Sequence, residues 1–376
     1  MAHESHPRVA FVGWNPFQFV HFAPVIARVP GAEIVIEKKH GAWKSCEAHL
    51  AAFPAERIHH LGPRQMRELD SRFDVLVCQT PFTGIAELRR ARVAMLQYGY
   101  AKEAHNYGAW RSFADVCMTF GDYAARKIEP FCAAVAIGNP RFECWADPTF
   151  HERARAKFSA RLDPAKKTLL YAPTWGSLSN HQTFADAIFA LSGDCNVILK
   201  IHHNTQHFDA RSLDALRQGF GVLHGADEDI VELLAVSDVL LSDFSGAIFD
   251  AIQCEVPVVL LGGSAPDAAS DCFSIEQARR HELGEVALTV ADLPAAVARA
   301  LEMPNPRAAA LNPLKDDLFC DAVGAADRAA AVIQQLADGG YTPSQAQLYL
   351  RREMAALQDY RSRSKWLRLL GRWWRG

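Results

Sequence analysis

Residues 238–262 read DVLLSDFSGAIFDAIQCEVPVVLLG, and this stretch decides the fold. DVLLSD is a continuous apolar run closed by polar residues. SGAIFDAIQC carries apolar residues at helical spacing, and PVVLLG is a second apolar run ending in glycine. Unbroken apolar runs of this length suit strands buried on both faces, and a helix between two such strands makes them parallel neighbours. The same alternation continues outward. TLLYAPTW (168–175) and NVILKIHH (196–203) read as strands, and NHQTFADAIFALSG (180–193) and DARSLDALRQG (209–219) as helices.

The first half repeats the pattern. RVAFVG (8–13), GAEIVIE (31–37), DVLVCQT (74–80), RVAMLQYG (92–99), VCMTFG (116–121) and AVAIGNPR (134–141) are strand-like, with a helical segment FQFVHFAPVIARV (17–29) after the first. At about 150 residues per domain, a chain of 376 residues accommodates two. The fold class expected is α/β: two Rossmann-like domains with parallel sheets facing across a cleft, plus a C-terminal amphipathic helix. The boundaries expected are 1–142 for the first domain, 143–167 for a charged, proline-flanked crossover, 168–340 for the second domain and 341–376 for terminal helices.

Composition limits the function classes. Apolar residues make up 49% of the chain and charged ones 22%, which supports two cores and excludes wholesale disorder. The net charge of −3 conceals an uneven distribution. Residues 361–376, RSRSKWLRLLGRWWRG, hold six Lys/Arg and no acid, leaving 34 basic and 43 acidic residues over 1–360. An acidic body of this kind is not expected to bind nucleic acid. There is no apolar run long enough to span a bilayer and no secretory signal, so a cytoplasmic location is expected. Nine scattered cysteines without a CxxC pair read as reduced thiols, and His202, His203 and His207 lack a Cys or acid at ligand spacing, so no metal site is expected.

Ligands of open α/β sheets bind beyond the carboxyl ends of the strands. In the second half those ends carry Thr174 to Ser177, then Lys200, His202, His203 and Asn204, then Asp243, Ser245, Gly246 and Asp250. Ser245 and Gly246 would open a helix, where free N–H groups and the helix dipole favour an anion; Lys200 or His202 could add positive charge. The pattern predicts a diphosphate site. Taken singly, Ser245 also reads as an N-cap and each histidine as a structural residue.

The ordered set LLYAPTW, LKIHHN, DVLLSDFSGAIFDAI and PVVLL resembles the CDP-glycerol glycerophosphotransferase family, which makes teichoic-acid-type polymers. IGNPRFE (137–143) and DAVGAADRAAAVIQQL (321–336) fit the same family, the latter as its closing D-x-x-G-x-x-x-R. The similarity runs over about residues 92–337. It implies a GT-B fold with the nucleotide-activated donor, a CDP-linked one, held mainly by the second domain and no other cofactor. By carry-over, His202, Ser245, Gly246 and Arg328 would bind the donor diphosphate and Thr174 would line the cleft. Asp243 and Asp250 would order the phosphate loop and the nucleotide side.

The family's His-Gly-Thr, whose His is the general base that the resemblance implies, is not matched. The equivalent stretch is Leu96-Gln97-Tyr98-Gly99-Tyr100-Ala101-Lys102-Glu103-Ala104-His105-Asn106-Tyr107, with Tyr98 in place of the His. A tyrosine with an ordinary pKa near 10 is a poor base at neutral pH. Glu103, His105 and His21 are the substitutes the sequence offers, and it does not choose among them.

Trp366, Leu369, Leu370, Trp373 and Trp374 fall on one helical face, with Arg368, Arg372 and Arg375 off it. Such a helix suits an anionic membrane surface. Packing against the first domain is the competing reading, for which residues 344–362 are better suited. The function expected is a peripheral transferase on the inner face of the cell membrane. It would move glycerol-phosphate, or a similar polyol-phosphate, to a hydroxyl of a lipid-linked or glycan acceptor. Alternatives are an NDP-sugar glycosyltransferase, a UDP-sugar 2-epimerase and a non-catalytic binding protein.

Overall fold

The computed structural model describes residues 6–39, 41–46, 50–202, 205, 214, 216, 223–225, 228–263 and 274–373. The chain divides into two compact units. Unit 1 comprises Met1–Tyr98, Tyr107–Glu143 and Leu318–Gly376; unit 2 comprises Gly99–Asn106 and Cys144–Asp317.

Unit 1 holds a parallel sheet of seven strands: β1 (Val9–Gly13), β2 (Glu33–Glu37), β3 (Ile58–Leu61), β4 (Val75–Cys78), β5 (Arg92–Leu96), β6 (Val116–Thr119) and β7 (Ala133–Ala136), ordered 3-2-1-4-5-6-7. Unit 2 holds six: β8 (Thr168–Tyr171), β9 (Asn196–Leu199), β10 (Leu223–His224), β11 (Val239–Ser242), β12 (Val258–Leu261) and β13 (Glu285–Ala287), ordered 10-9-8-11-12-13. Each sheet grows outward in both directions from its first strand, the doubly wound order that places a switch point between β1 and β4 and between β8 and β11.

Register explains the unit 2 core. Val197, Leu169 and Val239 form one in-register row and Leu199, Tyr171, Leu241 and Val259 a second, all of them buried in one cluster with Leu261. Helix His181–Ala190 covers them with Phe184 and Ile188, and helix Leu293–Ala300 with Leu293, Ala296 and Val297. In unit 1, Asn15 caps helix Pro16–Ile26 in a reciprocal box with Gln18, and Pro16 occupies the first turn, where its missing N–H costs nothing.

The expected domain boundaries shift. The second domain does not run to 340, because helix Ala325–Ala337 packs in unit 1 on helix Pro16–Ile26 and on β4, β5 and β6. Its stripe of Ala325, Ala329, Val332, Ile333 and Leu336 is buried there. The crossover stretch contains helix Pro148–Phe158, which belongs to unit 2, where Lys157 bridges Glu228 (2.5 Å) and Glu232 (2.6 Å). The long terminal helix Gln345–Trp373 packs on residues 109–113 of unit 1. Gln347 and Arg351 donate to the Ser112 and Ala114 carbonyls, and Arg351 pairs with Asp115 at 3.3 Å. This is the packing that residues 344–362 suggested. The side chains of the Trp/Arg stripe beyond residue 361 lie outside the described residues. No described helix is long and apolar enough to cross a membrane.

Candidate active site

The carboxyl ends of β8 and β11, on either side of the unit 2 switch point, are tied together by Asp243. Its carboxylate is fully buried and accepts the backbone N–H groups of Thr174 (2.8 Å), Phe244 (2.8 Å) and Asn180 (3.0 Å). Burial pushes its pKa up, against those three donors, which hold it down. Asp243 therefore shapes the loops rather than facing a ligand. Ser242 Oγ adds a bond to the Ala172 carbonyl (2.7 Å).

On this frame, Ser245 Oγ accepts the Ala247 N–H at 3.3 Å, and Gly246 stands exposed between buried neighbours, with open space where a Cβ would project. Helix Ala247–Gln253 follows, with Asp250 in its first turn, where a carboxylate complements the helix dipole. Trp175, 38% exposed, stacks on His202 at 6.3 Å between ring centroids. Lys200 is half-buried at the end of β9. His203, Asn204 and His207 lie outside the described residues.

A second element enters the same place. Residues 99–106 follow β5 of unit 1 but belong to unit 2. Tyr100 packs on Phe249 (5.3 Å), and Lys102 adopts a left-handed backbone (φ 62°). The Lys102 N–H donates to buried Glu276 (2.8 Å), and its ammonium donates to Thr174 Oγ1 (3.3 Å). Glu103 makes a reciprocal cap with the short helix Ile275–Ala278. Its N–H donates to Ser274 Oγ (2.9 Å), and its carboxylate accepts the Ile275 N–H (3.2 Å).

The three base candidates thus separate. Glu103 is buried and engaged as a cap. His21 is buried in unit 1, its Nε2 3.3 Å from the Arg141 guanidinium, with Phe17 at 4.5 Å and Phe120 stacked at 6.3 Å. His105 is exposed on the short helix Glu103–Asn106. Tyr98, against Phe17 at 5.4 Å, has its phenol pushed by burial up to about 12, further still from a base at neutral pH. Arg328 is in unit 1, where it donates to the carbonyls of Ile137 (2.8 Å), Val323 (2.9 Å) and Asp321. That holds the 321–324 turn.

Sequence reasoning passed over Lys102, Asn180, Glu276 and Arg280. Lys102 had a signal only in standing within the stretch 96–107 that replaces the His-Gly-Thr. Glu276 and Arg280 had none, because they follow β12 at a distance and no strand end announces them.

The pattern of the "CDP-Glycerol:Poly(glycerophosphate) glycerophosphotransferase" family matches residues 130–262. Thr174, Lys200, His202, Asp243, Ser245, Gly246 and Asp250 all lie in that span. A teichoic acid poly(glycerol phosphate) polymerase of Bacillus subtilis (strain 168) is 32% identical over 108 residues, 25% of this chain and 14% of that protein. The chain therefore matches only a small part of that relative. A solved structure of the wall teichoic acid polymerase TagF superposes with TM-score 0.61 at 15% identity, covering 88% of this chain and 89% of the other. A TagF structure soaked with CDPG gives 0.62 at 15% identity, covering 89% and 90%. UDP-GlcNAc 2-epimerase of Neisseria meningitidis, bound to UDP-GlcNAc, gives 0.60 at 12%, covering 87% and 100%. These likenesses establish the fold, GT-B as expected.

Proposed function

Taking the chain as a transferase that carries the glycerophosphotransferase family's segment at residues 130–262, we propose that it moves glycerol-phosphate, or a similar polyol-phosphate, from a CDP-activated donor to a hydroxyl of a lipid-linked or glycan acceptor. The carrying observation is the convergence of Lys102, Thr174, Trp175, His202, Ser245 and Gly246 around the β8/β11 switch point of unit 2, within or beside the matched segment. Trp175 and His202 offer a stacked aromatic surface beside the cations, and Gly246 offers an unobstructed backbone for phosphate oxygens.

In the reaction the acceptor oxygen attacks the β-phosphorus of the donor. The bond from that phosphorus to the bridging oxygen breaks, and CMP leaves with the bridging oxygen. Lys102, Lys200, His202 and Ser245 would stabilise the charge that accumulates on the leaving phosphate. The hydroxyl proton passes to His105, the exposed candidate, and then to solvent. With those cations in place no metal step is invoked, and turnover is expected to be unchanged by EDTA.

The decisive experiment is a thermal-shift screen with CDP-glycerol, CDP-ribitol, CMP-linked and UDP-linked sugars. Stabilisation by CDP-glycerol or CDP-ribitol supports the reading; stabilisation by UDP-sugars alone replaces it with a nucleotide-sugar enzyme. The basic, Trp-rich segment 361–376 would hold the protein peripherally at the cytoplasmic membrane surface. Deleting it should abolish sedimentation with anionic vesicles, and a full-length chain that never sediments with them removes this part of the proposal.

A further inference from the structure

Arg280 is a buried cation (3% exposed) behind the donor loop. Its Nε donates to the Gly262 carbonyl (2.9 Å), one Nη to the Asp243 carbonyl (2.8 Å) and the other to the Leu261 carbonyl (2.8 Å). Its guanidinium lies 4.5 Å from the Phe244 ring centre. One side chain thus grips the carboxyl ends of both β11 and β12. The carbonyl oxygens it holds carry negative partial charge, and the buried Asp243 carboxyl group lies close enough to act on the guanidinium. Burial lowers the guanidinium's pKa to about 10, with Asp243 and Glu276 opposing the shift, so it remains charged at neutral pH.

We infer that Arg280 is a positioning residue for the phosphates of the bound donor: it fixes the turn from Asp243 to Gly246 and offsets the negative charge behind it, so that the loop accepts a diphosphate. The inference rests on the proposed donor site and concerns the anionic part of the ligand alone. A residue that merely holds the fold together would affect every ligand of the site in equal proportion.

The test compares cytidine, CDP and pyrophosphate binding to the full chain by calorimetry and competition NMR, in wild type, Arg280→Lys and Arg280→Met. Expected is a loss of about tenfold or more for CDP and pyrophosphate in Arg280→Met, with cytidine affinity nearly unchanged. Arg280→Lys, which keeps the charge but not the three-way fork, should show the same split at smaller size and serves alone if Arg280→Met does not fold. Equal losses for cytidine and CDP, or unchanged CDP binding in these variants, overturn the inference and leave the donor site standing. A wild-type chain that binds neither CDP nor pyrophosphate overturns both.

Discussion

Lys102 pairs a backbone penalty with a side chain placed at the site. A non-glycine residue in the left-handed region costs roughly 1 kcal/mol, and here it persists because Glu276 holds its N–H and Glu103 caps the next helix. Removing the side chain should therefore separate stability from binding. Lys102→Gly is expected to keep or raise the melting temperature while weakening CDP-glycerol binding by about tenfold. Equal binding in the variant would remove Lys102 from the site. His105 gives a second residue-level expectation. Its replacement by Ala should lower kcat by about a hundredfold, with CDP-glycerol affinity retained. An unchanged kcat would return the role to His21 or to the substrate phosphates.

At the level of elements, the strands of the two sheets owe their positions to continuous apolar runs. Those runs were readable from the sequence because each is buried on both faces. What escaped were β3, β10 and β13: IHHL carries two histidines, and the other two are only two and three residues long. Edge strands of this kind are defined by their neighbour in the sheet, which a local pattern does not contain. β13 shows what substitutes for hydrophobicity there. Burial alone would raise the Glu285 pKa, but the guanidiniums of Arg307 and Arg299 outweigh it and hold it below its ordinary 4.5. A carboxylate lowered in the fold contributes stability above its unfolded value, and that contribution fades as pH falls through the folded value. Glu285→Gln should thus lower the melting temperature at pH 7 and flatten its decline below about pH 4.5, followed by calorimetry. A decline as steep as in wild type would show that the pair carries no linkage. In the core, Leu241→Ala should cost about 3 kcal/mol in urea unfolding, since its row has no space to collapse into.

For the whole molecule, the two-unit plan was legible but its boundaries were not. Sequence order suggested a change of domain near 142 and a second near 340, whereas residues 99–106 and 318–376 each belong to the unit their position in the chain would not assign. Arg328 is the telling case: its motif was readable, whereas its membership of unit 1 was not. The return of the chain is fastened at Gly138, whose φ of 83° is a glycine conformation and where a methyl would run into the Asp321 carbonyl oxygen. Gly138→Ala should destabilise unit 1 by about 2 kcal/mol or more, seen as earlier proteolysis of Leu318–Gly376. Protection equal to wild type would show that the turn is not a fastening point.

The same interleaving fixes an order of events during synthesis. Domains usually mature from the amino end as the ribosome delivers them. Here every residue of unit 2 has been made by Asp317, while unit 1 still lacks the Leu318–Gly376 segment that covers its sheet. The second unit in sequence is therefore the first able to finish folding. The nascent amino-terminal sheet must wait with part of one apolar face uncovered, the interval in which a chaperone would be needed most.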